Sequence, residues 1–374
     1  MTVVRASRLL LIFLLASCAQ ASPLEPGMKA VAQIRGLEFK HDVKNVTIDR
    51  ADLSKHLRAQ MERSTPYPLT DWGTILRSLQ LVDVPTEQLV PKLLALYEAQ
   101  VLAFYDPQSH TYYSIRQLPK LPEHAAKLAD PKLLEETVMV HELTHALQDQ
   151  HFALSTKEKA LMRDTDANMA YHAVLEGEAV LVMVAHMLAK AGMDFNEVIK
   201  DDAMLGMLSS AAAAETMIDP STPKYFAEML KFPYLQGLQF VVAAYRRGGW
   251  KELDKIHANP PRSTREVLHP EEYFARTFKP QAFDATAPKD AIAAEHLGEF
   301  HWRFLVGADA SRGWVNDRAV VWRDGRVSVD TQWDSAERAT AFADAYGAFL
   351  KKRGIEAKVT RDGVNVKASY TAKK

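Results

Sequence analysis

Between residues 49 and 247 the apolar positions recur every three to four residues, the period of helices that bury one face. The helix over 132–150 has apolar residues on most of its sides, so we expect it to be buried. Asp164 and Asp166 precede another long helix and offer side-chain caps for its first N–H groups. In total the spacing predicts helices over 49–62, 72–81, 86–99, 132–150, 167–191, 202–215 and from the Phe232-Pro233-Tyr234 turn to Arg247.

Alternating patterns in three places predict strands. Residues 101–115 predict a β-hairpin around the turn Asp106-Pro107-Gln108-Ser109, and a strand is predicted over 43–48. Beyond Glu295 the same alternation predicts a small α+β unit at the end of the chain. Its expected elements are a hairpin over 315–332, a helix over 336–352 and two short strands within 357–366.

These elements predict an α+β fold that is mainly α. They divide the chain into a leading segment 1–17, a helical region 18–99, a central domain 100–290 and a C-terminal α+β unit 291–374. The leading segment is typical of an export signal, because Arg5 and Arg8 precede an apolar run too short to span a bilayer.

Leu15-Ala16-Ser17-Cys18 resembles the bacterial lipobox, and Cys18 is the one cysteine of the chain. The resemblance implies an exported protein of the cell envelope, attached to the membrane through a lipid on Cys18. It implies the outer membrane, because Ala19 is not the aspartate that retains lipoproteins at the inner membrane. The alternative is cleavage after Ala19-Gln20-Ala21, which would release a soluble exported protein.

The overall composition is that of an ordinary globular protein, and it does not indicate nucleic-acid binding. The 374 residues are 47% hydrophobic and 25% charged, as in ordinary globular proteins. The formal net charge is −1 and charges of both signs are interleaved, so no basic surface is predicted. The partner has to be inferred from the chemistry of a site.

One predicted helix carries a candidate metal site. His141-Glu142-Leu143-Thr144-His145 is an H-E-x-x-H motif within 132–150. Positions i and i+4 lie on one helical face, so the two imidazoles can bind a single metal ion. Glu142 lies at the edge of that face, where its carboxylate can act on water without being a ligand. The motif predicts zinc ligands at His141 and His145 and a catalytic base at Glu142.

The third ligand is expected in the next long helix, within Leu175-Glu176-Gly177-Glu178-Ala179. The separation from His145 allows a loop and an antiparallel return of the chain. Glu176 and Glu178 face different ways because they are two positions apart. The helical neighbours of Glu176 are mostly small, whereas those of Glu178 are larger and apolar. The pattern favours Glu176 as the ligand and leaves Glu178 as the alternative.

HELTH followed by a helical LEGEA resembles the gluzincin superfamily of zinc metallopeptidases, and is similar to exported bacterial proteins of the peptidase MA-like group. The resemblance covers about residues 100–275. It implies a catalytic domain with an active-site helix pair and a preceding β-hairpin. It also implies zinc as the cofactor, Glu176 as the third ligand, and a peptide or protein substrate.

The segment Phe232-Pro233-Tyr234-Leu235-Gln236-Gly237 resembles the Y-x-K-G segment of the gluzincin aminopeptidases. The tyrosine of that family stabilises the transition state, which implies the same role for Tyr234. Gln236 stands where that family has lysine, and its G-x-M-E-N motif is absent from this sequence. Aminopeptidase specificity is therefore not implied.

Other polar residues are candidates for supporting roles. His269, in Leu268-His269-Pro270, is a candidate to donate a hydrogen bond to the oxyanion alongside Tyr234. Asp149 and Asp166 or Asp164 are candidates to orient the ligand imidazoles, but the favoured interpretation of each is an exposed acid at a helix end.

Three functions fit the sequence, and a zinc metallopeptidase is favoured. Glu142 favours an enzyme, because a structural zinc site needs no base. The hairpin over 101–115 can pair with an extended peptide, or it can be plain structure. The alternatives are an envelope lipoprotein with a structural zinc site and a binding role, and a zinc hydrolase of non-peptide esters or amides.

Overall fold

The computed structural model describes residues 22–117, 131–203, 206 and 222–372. The predicted signal segment 1–17, Cys18 and most of the helix predicted over 202–215 lie outside these residues. The described part of the chain is an α+β fold that is mainly helical, which confirms the predicted class.

The first half of the described chain is mainly helical. The bounds of its helices are α1 Glu25–Arg35, α2 Arg50–Ser64, α3 Leu69–Ser78, α4 Thr86–Gln100, α5 Pro131–Phe152, α6 Leu154–Leu161, α7 Thr165–Lys190 and α8 Phe195–Lys200. Helices α1, α6 and α7 pack against the predicted metal-site helix α5. Each helix predicted in this region is confirmed, with ends shifted by a few residues. Helix α1 was not predicted, and it packs directly against α5 and α7.

The second half begins with helices and ends with the C-terminal unit. The bounds are α9 Lys224–Phe232, a π-helical turn Pro233–Gly237, α10 Leu238–Gly248, α11 Trp250–Ala258, α12 Thr264–Leu268, α13 Pro270–Ala275, α14 Gly298–Val306, α15 Ala308–Ser311 and α16 Ala336–Lys352. The stretch 257–270, rich in Pro, Ser and Thr, contains α12 and the first residue of α13. Ser263 caps α12 by accepting a hydrogen bond from Arg265 N at 3.1 Å, which starts a short helix there.

A small sheet precedes the metal-site helix. Its strands are β1 Lys44–Ile48, β2 Ala103–Asp106 and β3 Thr111–Ile115, in the order β1-β3-β2. Strand β2 pairs antiparallel with β3, which confirms the predicted hairpin, and β1 runs parallel to β3. The Asp106 carboxylate closes the turn by accepting from Gln108 N at 3.1 Å and Ser109 Oγ at 2.9 Å. Because β3 lies in the middle of the sheet, β2 is an edge strand, and it packs against α5.

The C-terminal unit is built on a second sheet. Its strands are β4 Ala291–Glu295, β5 Trp314–Trp322, β6 Arg326–Trp333, β7 Ala357–Asp362 and β8 Asn365–Thr371, all antiparallel, in the order β4-β5-β6-β8-β7. Helix α16 packs on this sheet through Phe342, which contacts Trp302 and Trp333 at ring-centroid distances of 5.0 and 4.4 Å. The predicted hairpin and helix are confirmed. Of the two strands predicted within 357–366, β7 is confirmed, whereas β8 begins only at Asn365 and continues to Thr371.

Helix α7 is the central helix of the fold. Asp164 caps it by accepting from Ala167 N at 3.0 Å, as predicted. By length and composition α7 could cross a membrane, but 78% of its most apolar stretch is buried inside the fold. It is therefore the core helix against which α5 packs.

Two glycines allow the π-helical turn to touch α7 backbone to backbone. A Cβ on Gly177 would lie 2.4 Å from the carbonyl carbon and oxygen of Gly237. A Cβ on Gly237 would lie 2.2 Å from Ala173 O. Neither position can hold a side chain without displacing backbone. This close approach holds the turn, and with it Tyr234, beside the middle of α7.

Candidate metal centre

Three side chains from α5 and α7 converge on one point. Glu176 Oε2 lies 3.1 Å from His141 Nε2 and 3.6 Å from His145 Nε2, and the two Nε2 atoms are 3.2 Å apart. The side chains of His141, His145 and Glu176 are 12%, 14% and 11% exposed. The structure thus brings together the three ligands favoured by the sequence.

These separations fit a tetrahedral zinc ion. Zinc lies about 2.0–2.1 Å from histidine nitrogen and carboxylate oxygen, which puts neighbouring ligand atoms of a tetrahedron about 3.3 Å apart. The measured distances of 3.1, 3.2 and 3.6 Å cluster around that value. Two imidazoles and one carboxylate are also a donor set typical of catalytic zinc, with a fourth position left open. The residues present therefore fit zinc.

The electrostatics of the site keep Glu176 ionised. Burial opposes its ionisation, but the charge on His145 and hydrogen bonds with His141 and His145 lower the pKa of Glu176 well below its ordinary value. Burial likewise opposes charge on His145, yet the Glu176 carboxylate outweighs it and raises the pKa of His145 to about 10. Glu176 is therefore held in the form in which a carboxylate binds a metal.

Glu142, the predicted base, lies beside the three ligands. Its Oε2 accepts a hydrogen bond from Tyr105 N of β2 at 2.9 Å. Burial raises the pKa of Glu142, against the opposing effect of His141 and His145. The carboxylate is therefore oriented by the edge strand and is a stronger proton acceptor than an exposed glutamate.

Tyr234 lies next to the metal-ligand cluster. Its ring stacks on His141 with centroids 6.2 Å apart and planes at 25°. Burial, together with the nearby carboxylates of Glu176 and Glu142, raises the pKa of Tyr234 well above its ordinary value. The hydroxyl therefore stays protonated and can donate a hydrogen bond at neutral pH.

His269 forms a pair elsewhere. Its Nε2 lies 2.9 Å from Glu299 Oε1, and this buried carboxylate is its hydrogen-bonding partner among the residues described. Among the described residues, His269 makes no hydrogen bond or ion pair with His141, His145 or Glu176, so this geometry does not support its predicted role at the oxyanion.

The hypothesis that Asp149 orients a ligand imidazole is wrong. Its carboxylate instead accepts from Tyr105 Oη at 2.9 Å and lies 2.8 Å from His110 Nδ1. The residue that contacts a ligand imidazole is Gln148, whose Oε1 lies 2.9 Å from His145 Nδ1. Helical geometry explains the difference, because position i+3 also shares the face of His145.

Asp164 and Asp166 do not orient the ligands either. Asp164 caps α7 and lies 2.8 Å from His296 Nδ1. Asp166 is fully buried and accepts from Thr264 N at 2.9 Å. Both acids serve the start of α7 and its contact with the C-terminal unit, because first-turn N–H groups and buried donors there need acceptors.

Glu178, the alternative ligand, is excluded by its contacts. Its two oxygens are hydrogen-bonded to Arg35 Nε and His257 Nε2, and Gln148 Nε2 donates to it at 2.9 Å. Burial opposes ionisation, but the charges of Arg35 and His257 lower the pKa of Glu178. Both oxygens of this carboxylate already accept hydrogen bonds from buried donors, so neither is free to bind a metal.

Sequence reasoning missed four contributors to the site. Gln148 had a usable signal, since it lies one turn after His145 on the same face. The Tyr105 N–H had none, because any residue of an edge strand carries one. Arg35 and His257 had none either, since both are far from Glu178 along the chain and meet it only in the folded protein.

Comparison with known proteins covers only the C-terminal part of the chain. A family model described as a domain of unknown function (DUF8575) matches residues 272–373. The matched segment contains the second sheet and α16 and none of the three ligand residues. No curated protein and no solved structure matches the chain.

Proposed function

We propose that this protein is a zinc-dependent hydrolase, and specifically a metallopeptidase of the gluzincin type. The observation that carries the proposal is the convergence of His141, His145 and Glu176 at separations suited to one zinc ion. Glu142 and Tyr234 flank that point with a carboxylate acceptor and a hydroxyl donor. A purely structural zinc site would need neither group.

The chain supplies the remaining chemistry of hydrolysis. When bound, zinc acts as a Lewis acid and makes water more acidic. Glu142 accepts a proton from the attacking water and passes it to the leaving amine. The Tyr234 hydroxyl donates to the developing oxyanion, a contribution of about 2.7–4 kcal/mol in comparable sites.

The position of β2 supports a peptide substrate over a small ester. Strand β2 is at the edge of its sheet, and Tyr105 N already reaches Glu142. An extended peptide that bonds to edge groups of β2 other than Tyr105 N would pass the base with its backbone held by strand-type hydrogen bonds. The predicted export signal and the lipid anchor on Cys18 would place this activity in the cell envelope.

The proposal is tested by metal analysis and an unbiased peptide mixture, comparing the wild type with Glu142→Gln. We expect one zinc per chain in both proteins, and peptide cleavage reduced by roughly 10²–10⁴-fold in the variant, because the base is lost and the ligands are kept. Glu135→Gln is the matched control, since Glu135 is an exposed glutamate on the same helix.

Three results would count against the proposal. Wild-type protein without zinc would remove its basis, and full activity of Glu142→Gln would remove the assigned base. Zinc without cleavage of any peptide would favour the alternatives of a binding lipoprotein or a hydrolase of other esters or amides.

A further inference from the structure

Gln148 bridges the metal ligands and the buried cluster around Glu178. It is 1% exposed, on α5. Its Oε1 lies 2.9 Å from His145 Nδ1, on the side of the imidazole opposite to the metal-facing Nε2. Its Nε2 lies 2.9 Å from Glu178 Oε2 and 3.2 Å from Leu175 O.

The surroundings of Gln148 permit one orientation of its amide. An ionised carboxylate and a backbone carbonyl are acceptors only, so the amide NH₂ has to face Glu178 and Leu175. If the amide were turned over, its oxygen would face two other oxygens in a buried space, which is costly. The amide oxygen is therefore directed at His145.

The orientation of the amide fixes the proton on His145. An amide oxygen can only accept, so His145 Nδ1 has to carry hydrogen to satisfy it. The lone pair available to a metal is then on Nε2, the atom that faces His141 and Glu176. An imidazole without this partner can also place its proton on Nε2, and in that form it cannot bind a metal there.

Residues from two other helices keep Glu178 an acceptor. Arg35 of α1 and His257 of α11 both donate to its carboxylate, and all three side chains are almost completely buried. Arg35 also donates to Asp254 of α11 at 2.8 Å. These donors hold the Glu178 carboxylate in place beside Gln148. The amide of Gln148 therefore meets only an acceptor there and has to donate to it.

We propose that Gln148 and Glu178 are positioning residues that keep Nδ1 of His145 protonated and its Nε2 directed at the metal. This inference rests on the proposed zinc function, because it assigns a role to residues around one ligand of that site. Partners that fix ligand histidines in this way are typically worth 10–100-fold in metal affinity.

The first experiment needs no variant of the network. In ¹⁵N-histidine NMR of the zinc-loaded wild type, we expect His145 Nδ1 to carry the proton and Nε2 to carry none, with the signals assigned by their loss in His145→Ala. A bare Nδ1, with the proton on Nε2, would overturn the inference even if the protein binds zinc and cleaves peptides.

The second experiment measures zinc affinity by competition with a chelator. We expect Gln148→Met to bind zinc 10–100-fold more weakly, because methionine keeps the volume of the side chain and loses its three hydrogen bonds. Gln150→Met is the matched control on the same helix, since Gln150 bonds only surface backbone groups of Lys40 and His41, and we expect its affinity within about twofold of wild type.

A double variant separates positioning from simple loss of packing. The double variant Gln148→Glu with Glu178→Gln exchanges the amide and the carboxylate and keeps the net charge of the cluster. We expect it to recover most of the zinc affinity that Gln148→Met loses. Wild-type affinity in Gln148→Met would refute the inference. Zinc binding that depends on Gln148 in a protein without hydrolytic activity would refute the proposed function alone.

Discussion

Glu176 and Glu178 are two buried carboxylates of one helix, two positions apart, and they have opposite surroundings. Glu176 faces two ligand imidazoles within 3.6 Å. Glu178 faces the permanent charge of Arg35, the imidazole of His257 and the amide of Gln148. The charge of Glu178 is therefore compensated by permanent partners within the fold. Glu176 instead pairs with imidazoles, which can lose their protons.

The comparison shows what makes a buried carboxylate available to a metal. A carboxylate with a guanidinium partner is satisfied within the fold and stabilises it. When the partners of a carboxylate are imidazoles, they can release their protons as a metal ion binds. The neutral imidazoles and the carboxylate then bind the metal ion together. Burial alone does not distinguish the two residues, since both are largely removed from solvent.

The largest expected effect is the loss of folding stability when Glu178 is replaced. Glu178→Gln leaves the buried guanidinium of Arg35 without its full counter-charge, so we expect the free energy of unfolding to fall by about 3–5 kcal/mol. Urea unfolding in the presence of a chelator measures this without any contribution from bound metal. Glu197→Gln, which breaks an exposed pair with Lys200, should change it by at most about 1 kcal/mol. If Glu178→Gln lowered the free energy of unfolding by less than about 1 kcal/mol, Glu178 would not be the counter-charge on which buried Arg35 depends.

Glu176→Gln should show the reverse pattern. We expect zinc affinity to fall on the order of 10²-fold, since four ligands together contribute about 10–16 kcal/mol in structural sites. The metal-free protein should keep its unfolding free energy within about 1 kcal/mol, because His141 and His145 can become neutral when their partner is lost. Chelator competition and urea unfolding are the two measurements. Strong destabilisation with unchanged zinc affinity would mean that the roles of the two glutamates are exchanged.

A smaller effect is expected at Gly177, between the two glutamates. Gly177→Ala places a Cβ 2.4 Å from the backbone of Gly237, so the π-helical turn has to move. We expect a loss of about 1–3 kcal/mol in unfolding free energy, with slower hydrolysis because Tyr234 moves with the turn. Gly347→Ala is the control, since nothing lies near its Cβ, and it should stabilise α16 by up to about 1 kcal/mol. Equal behaviour of the two variants would refute the close contact.

Much of the candidate site could be predicted because its signals are local. The spacing of His141 and His145 needs only a helix, and the choice of Glu176 over Glu178 needs only the residues on each face. The predictions for the three aspartates failed for a different reason. Asp149, Asp164 and Asp166 each found partners that are distant in sequence or at a helix end, and the pattern of the chain does not reveal such competition.

The sequence by itself determined the longest helices, the hairpins, the two-histidine face and the candidate base, because each depends on side chains a few positions apart. Only the tertiary structure decided what surrounds each glutamate. Arg35 and His257 reach Glu178 from the first helix and from α11, and Gln148 links that cluster to His145. Charge compensation in a buried site depends on distances in space, and packing alone sets those distances.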